Sequence, residues 1–305
     1  MSATYHPGLH RFSLVLLACT FLLLIAGALV TSNDAALAVP DWPLSYGTLT
    51  PPMVGGIFYE HSHRVIAACI GFLTIILAVW TWRAESRRWV RWLSLAALGA
   101  VILQGVLGGL TVLLHLHYGM PIAHACLAQI FFGAIMGMAL FTSRWWISDQ
   151  AAIPDNGSPS IHTFALVNAA AVFLQVILGA GFRHKSMPIW PHIIGAFVVA
   201  ATISWTALTL RHRFGNVREM KLARILINSV FGLQFMLGVA AWASRLMTVD
   251  APQPLPAVVA LTVIHTVTGA LTFACSLMVV MLCYRMVPRS REAALAPART
   301  EAAIS

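Results

Sequence analysis

The sequence is poor in charged residues. Only 10% of its 305 residues are Asp, Glu, Lys or Arg, against about 25% in an average soluble domain, while 59% are hydrophobic. This composition excludes a soluble enzyme. The apolar residues fall in eight runs of about 20 residues, each long enough to cross a bilayer core of about 30 Å as a helix. We therefore predict an all-α integral membrane protein with eight transmembrane helices, at Phe12–Val30, His63–Trp82, Leu93–Leu114, Ile122–Phe141, Phe164–Phe182, Ile193–Leu210, Leu226–Ala243 and Ala257–Leu282.

Cysteine is absent from the predicted outer loops and from the short motifs that bind metals or attach heme. Four of the five cysteines lie inside the apolar runs and the fifth, Cys283, directly follows one, and the sequence has no Cys-x-x-Cys or Cys-x-x-Cys-His string. Disulfide bonds and covalently attached heme are therefore not expected. The N-terminus lacks an Arg- and Ser-rich amphipathic presequence, which favours a bacterial plasma membrane. We expect the Ala-rich segment Arg291–Ser305 to be a disordered tail.

Positive charge is concentrated on one side of the predicted membrane protein. The four cations on the other side are balanced by four acids, so the whole net charge of +9 lies on the side that also holds both termini. By the positive-inside rule, that side is cytoplasmic, which gives an N-in, C-in topology. Because topology accounts for the charge, we expect no nucleic-acid partner.

An internal repeat divides the chain into two halves. The string Leu-Gln-x-x-Leu-Gly occurs at Leu103–Gly108, Leu174–Gly179 and Leu233–Gly238, and a looser form occurs at Ile25–Ala28. We infer that helices 1–4 are duplicated in parallel as helices 5–8, which predicts two tandem four-helix bundles at residues 1–156 and 157–305. The Gln and Gly residues themselves are interpreted as packing and hydrogen-bonding residues between helices.

Four histidines recur near the outer ends of the even-numbered helices once the halves are aligned. They are His63 and His124 in the first half and His192 and His265 in the second. Ionisable groups at membrane depth are costly and tend to mark function, so two matched pairs favour ligands over packing residues. A lone intramembrane histidine would more often be a hydrogen-bonded packing residue.

Each pair of histidines suits the two axial positions of a heme iron. Hard cations prefer carboxylates, which these helices lack, and a tetrahedral zinc site needs three or four converging ligands where each half offers two. Two imidazoles from facing helices of a bundle can bind one heme iron. A small residue four positions after each histidine would leave room for the flat macrocycle, namely at Ala67, Ala128, Ala196 and Gly269.

Four cations lie at the same predicted level as the histidines. They are Arg64, Arg183, Lys185 and Arg245. We predict that they pair with heme propionates, because guanidinium and ammonium groups bind carboxylates well. Anchoring in the lipid headgroup region is the alternative role for each of them.

Glu60 distinguishes the first half from the second. It precedes His63 by three residues, so its carboxylate stands over the same helical face if the helix extends one turn outward. An enzyme acting on the porphyrin rim would use such an acid as a base or to stabilise a developing cation. The equivalent position in the second half is Ile189, so we interpret the first half as catalytic and the other half as a holding site. A helix N-terminal acid favoured by the helix dipole is the alternative.

Three segments of the first half resemble the heme A synthase family, which includes mitochondrial cytochrome oxidase assembly relatives. They read Gly-Ala-Leu-Val-Thr at Gly27–Thr31, Leu-Ala-Val-Pro-Asp-Trp-Pro-Leu-Ser-Tyr-Gly at Leu37–Gly47 and Tyr-Glu-His-Ser-His-Arg at Tyr59–Arg64. The resemblance extends over all eight helices, from Phe12 to about Arg285. Two features depart from it: the outer loops lack the paired cysteines of some members, and the Thr31–Leu37 segment lacks the usual glycine-containing turn.

The resemblance implies an enzyme that oxidises a methyl group of heme O to a formyl group, giving heme A for cytochrome oxidase biogenesis. It implies that His63 and His124 bind the substrate heme, that His192 and His265 bind a heme b cofactor, and that Glu60 is the essential acid. The expected surroundings are the lipid of a bacterial plasma membrane, with the heme sites toward the outer leaflet and a heme O synthase as donor. The electron acceptor and the formation of a homo-oligomer are left open.

Two other functions are compatible with parts of the pattern. A bis-histidine b-type cytochrome, relaying electrons between quinone and a partner, would explain the four histidines but not Glu60. A transporter with parallel repeats would favour helices interrupted by Gly or Pro in mid-membrane, whereas the prolines here lie at helix ends.

Overall fold

The computed structural model describes residues 4–117 and 119–288, and this part of the chain is almost entirely helical. The predicted disordered tail at Arg291–Ser305 lies outside the described residues. The helices are α1 (Pro7–Ser32), α2 (Gly55–Ala84), α3 (Arg88–Leu113), α4 (Gly119–Phe141), α5 (Arg144–Ile147), α6 (Ile161–Arg183), α7 (Trp190–Phe214), α8 (Arg218–Met247) and α9 (Pro256–Met286). All except α5 are long and apolar enough to span a membrane. The predicted all-α fold with eight membrane-spanning helices is therefore confirmed.

The spanning helices are longer than the apolar runs of the sequence. Helix α2 begins at Gly55, eight residues before the run that starts at His63, so Glu60 lies within its second turn. Gly55 has φ +52°, a conformation that glycine adopts without the steric cost of a side chain. The short α5 was not predicted. Its first turn is capped by Ser143, whose side chain accepts a hydrogen bond from the backbone N–H of Trp146.

Helix contacts group the chain into two sets of four. Helix α1 contacts α2 and α4, and α3 contacts α2 and α4; in the same way α6 and α8 each contact α7 and α9. The two sets meet where α9 contacts α1 and α4, and where α4 contacts α6. The boundary between residues 156 and 157 stays a prediction.

Small residues allow the two sets to approach closely. A Cβ at Gly133 of α4 would lie 2.6 Å from Leu277 Cδ1 of α9, so a larger residue there would force Leu277 to move. Ala28 of α1 packs against Val263 and Val267 of α9, which flank His265 in sequence. The seam between the sets therefore runs beside one of the predicted ligands.

Candidate active site

The four predicted histidines meet in two pairs. His63 of α2 and His124 of α4 have ring centroids 6.5 Å apart with an interplanar angle of 78°. His192 of α7 and His265 of α9 have ring centroids 6.3 Å apart with an interplanar angle of 86°. Each pair joins two helices of one set, and all four side chains are half-buried.

The distance within each pair fits an iron atom held between two imidazoles. A metal–nitrogen bond is about 2 Å and the ring centre lies about 1.2 Å behind the nitrogen, so two axial imidazoles have centres about 6.3 Å apart. Among the described residues, no group of three or more His, Cys, Asp or Glu side chains is placed to hold a metal ion. The donor set in each half is thus two imidazoles, which suits heme and does not suit a tetrahedral zinc site.

Each histidine ring packs against a glycine of the preceding membrane-spanning helix. A Cβ at the glycine would lie between 2.8 and 3.2 Å from the ring carbon Cε1, so a side chain there would push the ring away. The four contacts are Gly27 with His63, Gly108 with His124, Gly179 with His192 and Gly238 with His265. Three of these glycines end the Leu-Gln-x-x-Leu-Gly strings, so the repeat positions the histidines. The packing role between helices that the sequence predicts for these glycines is confirmed by the contacts.

The glutamines of the same strings contact the histidines too. Gln104 Nε2 donates a hydrogen bond to the His124 carbonyl at 3.0 Å, and Gln175 Nε2 donates to the His192 carbonyl at 2.8 Å. Gln175 Nε2 is also 3.0 Å from His192 Nδ1. In α9, His265 Nδ1 donates to the backbone carbonyl of Gln234 at 3.2 Å, which leaves Nε2 as the nitrogen with a free lone pair.

Glu60 and Arg64 form an ion pair within α2. Glu60 is buried, its Oε1 lies 2.5 Å from Arg64 Nη2, and its Oε2 accepts a hydrogen bond from the Val39 backbone N–H at 2.8 Å. Arg64 Nη1 donates to the carbonyls of Asp41 and Leu44, both at 2.7 Å. The pair therefore fastens the loop between α1 and α2 to the helix that carries His63.

That loop, residues 33–54, also contacts the helix behind His124. The ring of Trp42 lies against Gly109 of α3, where a Cβ would come within 2.7 Å of it. Asp41 accepts hydrogen bonds from the backbone N–H groups of Gly47 and Tyr46, which lower the pKa of its carboxyl. Because Gly109 adjoins Gly108, the loop is tied to both sides of the first histidine pair. Sequence reasoning did not find this role for Trp42 and Arg64, since it depends on how the loop folds back.

A family model described as cytochrome oxidase assembly protein matches residues 53–304 of the chain. The chain belongs to this family. Similar proteins include the heme A synthase of Alkalihalophilus pseudofirmus, 34% identical over 125 residues, which cover 37% of this chain and 42% of that protein. The heme A synthase of Symbiobacterium thermophilum is 29% identical over 207 residues, which cover 63% of this chain and 65% of that protein. The matched segments thus span less than two thirds of these relatives.

In this member of the cytochrome oxidase assembly family, the predicted propionate partners have different surroundings. Arg183 donates to Ser32 Oγ at 2.7 Å and to the Ala28 carbonyl at 3.3 Å, and so ties α6 to α1. Burial, and then the charge of Arg183, lowers the pKa of the neighbouring His184 to about 4, so His184 is neutral at pH 7. Lys185 and Arg245 are exposed. Propionate binding by these cations stays a prediction.

Proposed function

We propose that the chain is a membrane heme A synthase, which oxidises a methyl group of heme O to a formyl group for cytochrome oxidase biogenesis. The observation that carries this proposal is the pair of facing imidazoles in each set of four helices, at centroid distances of 6.5 and 6.3 Å. Membership of the cytochrome oxidase assembly family and similarity to proteins named heme A synthase support the same reaction.

The reaction requires two successive oxidations at one carbon. Written with water as the oxygen donor, each oxidation replaces a C–H bond by a C–O bond and releases two electrons and two protons, and the electrons pass to an external acceptor. The first gives an alcohol, and the second gives a hydrate that loses water to form the aldehyde. Heme b, when held by His192 and His265, would supply one-electron transfer.

The first histidine pair is the proposed substrate site. His63 and His124 would bind the iron of heme O, and the residues four positions after them, Ala67 and Ala128, are small. Glu60 lies one helical turn outward of His63 and forms an ion pair with Arg64. A fixed negative charge at this place stabilises positive charge that develops on the porphyrin rim. The second half has no such acid, because the equivalent residue is Ile189.

The chemistry of the proposed substrate indicates the heme donor and the membrane location of the protein. Heme O is a prenylated porphyrin that stays in the membrane, so a membrane-bound heme O synthase is the proposed donor. The eight apolar helices support a multi-pass protein of the bacterial plasma membrane. The balance of charge between the two sides favours the outer leaflet for both histidine pairs.

The proposal is tested by expressing the chain in a host that makes heme O but no heme A. Hemes extracted from the membranes are separated and identified by their absorption spectra and masses. We expect heme A in cells with the wild-type chain and only heme O in cells with a His63→Ala chain at equal membrane abundance. Unchanged heme O beside a protein-bound heme b would contradict the proposal and would favour the bis-histidine cytochrome.

A further inference from the structure

A cavity of about 470 Å³ lies between α2 and residues 49–53 of the loop that precedes this helix. Its volume is within the range of about 300–1,000 Å³ that is usual for small-molecule sites. Val65 lies on a membrane-spanning helix and is 48% exposed, so the cavity opens toward lipid. One imidazole, that of His61, lies among lining side chains that are mostly apolar, namely Leu49, Pro51, Met53, Val65 and Ile66.

The loop holds the His61 ring through Ser45. Ser45 Oγ and His61 Nδ1 are 2.8 Å apart. Ser45 is buried, and Nδ1 is the acceptor that its hydroxyl contacts among the described residues, so the hydroxyl donates to Nδ1. A neutral imidazole that accepts at Nδ1 carries its proton on Nε2, which makes Nε2 a donor for a ligand in the cavity. Arg64 fastens the same loop to α2, so the cavity is largely preformed.

The cavity and the first histidine pair lie on different faces of α2. His61 precedes His63 by two residues, which places its side chain about 200° around the helix axis. His63 packs against Gly27 and faces His124, whereas His61 contacts the loop. The two positions are separated by the thickness of one helix, about 10–12 Å with side chains. An electron carrier in the cavity would therefore lie within tunnelling distance of a heme bound at His63.

The reaction of the proposed function needs an acceptor for two electrons at each oxidation. The predicted outer loops contain no cysteine, so a disulfide of this chain cannot be the acceptor on that side. A membrane quinone dissolves in lipid, takes up two electrons and two protons, and offers a carbonyl oxygen to an N–H donor. We propose that the cavity binds a quinone, with His61 Nε2 donating a hydrogen bond to one of its carbonyl oxygens. This inference rests on the proposed function.

Both oxidations balance with a quinone as acceptor. The methyl group, one water and one quinone give the alcohol and one quinol; the alcohol, a second water and a second quinone give the hydrate and a second quinol. In each step a C–O bond replaces a C–H bond, two electrons reduce the quinone, and the two released protons complete the quinol. His61 orients the quinone and keeps its own proton. A lipid acyl chain would fit the apolar lining but has no acceptor for this N–H.

The first experiment measures quinone binding without heme. The purified full-length protein is placed in nanodiscs of quinone-free lipid and titrated with decylubiquinone, and the retained quinone is extracted and compared with that of empty nanodiscs. His61→Leu removes the donor, and we expect about fivefold weaker binding, the loss for one hydrogen bond. His61→Gln, which keeps an N–H donor, should bind more tightly than His61→Leu. His212→Leu, which replaces an exposed histidine at the other end of a spanning helix, should bind as the wild type does.

The second experiment fills the cavity with Val65→Trp. Ile75→Trp is the matched control, because Ile75 lies on the same helix and is also 48% exposed but does not line the cavity. Both are made in a His192→Ala background, loaded with hemin and reduced, and decylubiquinone is added without oxygen. Oxidation of the heme is followed by its absorption spectrum. We expect Val65→Trp to slow this oxidation at least tenfold and Ile75→Trp to leave its rate unchanged.

Unchanged quinone binding and oxidation rates in both His61→Leu and Val65→Trp would overturn the inference, while heme A production by the wild-type chain would still uphold the proposed function. The cavity would instead hold the prenyl tail of heme O if Val65→Trp weakened retention of heme O but not of hemin, which lacks that tail, and left the oxidation rate unchanged. That result would also overturn the inference. A wild-type chain that binds quinone at His61 but forms no heme A would overturn the proposed function and, with it, the role of the quinone as acceptor.

Discussion

At the residue scale, the ion pair of Glu60 and Arg64 combines two roles. A buried carboxylate is costly unless it is paired and hydrogen-bonded, and Glu60 has both a guanidinium and a backbone N–H. The same pair brings three loop residues, Val39, Asp41 and Leu44, to the helix that carries His63. A substitution that tests the charge of Glu60 therefore has to keep its hydrogen bond from the Val39 N–H.

Glu60→Gln makes that separation. The amide oxygen can still accept from the Val39 N–H, and Arg64 retains its two loop carbonyls, but the negative charge is lost. We expect membrane abundance and the heme b spectrum to persist while heme A production falls by about 10²-fold, the range for losing a positioned charge or base. Heme A production is measured in extracted pigments, normalised to the amount of protein.

Glu85→Gln is the matched control. Glu85 is also buried and ion-paired, with Arg87 Nη2 at 2.6 Å, but it lies at the far end of α2. Burial opposes ionisation of Glu85, yet the hydrogen bonds and charge of Arg87 outweigh it and lower the pKa of this carboxyl. We expect Glu85→Gln to affect stability and not chemistry. Near-normal heme A production by Glu60→Gln would show that Glu60 is a helix-end residue only.

At the element scale, the recurring unit is a pair of neighbouring helices with a glycine on one facing a histidine on the other. Close approach of the two helices contributes more to their association than burial of apolar surface does, because lipid is as apolar as the helix faces themselves. Helix α8 offers two glycines in different surroundings. Gly238 touches the His265 ring, while a Cβ at Gly232 would meet no atom within 4 Å apart from its chain neighbours and its own helix backbone.

Gly238→Ala and Gly232→Ala therefore form a matched pair on one helix. The new Cβ at position 238 would lie 2.8 Å from His265 Cε1, so the ring has to shift. We expect at least a tenfold loss of hemin affinity in Gly238→Ala, because the ligand loses its orientation. Gly232→Ala should bind hemin normally, since alanine only favours the helix there. Equal hemin affinity of the two variants, measured by titration, would refute the positioning role of the glycine.

Sequence reasoning found the helices and the histidine pairs because both leave periodic signals. Apolar runs predicted the eight spans, and the repeat put the four histidines in register. It missed the helix ends, since polar residues such as Glu60 and Arg218 extend helices beyond the apolar core. It also missed the contact of Gln175, which depends on which residues of two antiparallel helices face each other, and that of Trp42, which depends on how the loop folds back. No spacing within one helix carries that information.

At the scale of the whole molecule, the charge distribution predicts which side of the membrane each loop occupies. Reporter fusions at Ser86, between α2 and α3, and at Pro51, between α1 and α2, test this directly. We expect a cytoplasmic signal at Ser86 and an outer signal at Pro51, because the cations cluster on the side that holds Ser86. The reverse pattern would refute the proposed location of the histidine pairs in the outer leaflet.

Each set of four helices contains one pair of histidines, and the two sets contact each other along α9. Helix α9 carries His265 and also contacts α1, whose Gly27 faces His63.

The paired-ligand assignment is tested most directly by electron paramagnetic resonance of the purified ferric protein, prepared with ample heme supply. Two axial imidazoles give a six-coordinate low-spin iron, and in a His63→Ala background, which removes the first pair, this signal should be lost or become high-spin in His192→Ala and in His265→Ala. The account predicts that low-spin signal in the wild-type protein. A folded wild-type protein that is colourless, or one whose low-spin signal survives both substitutions, would contradict it.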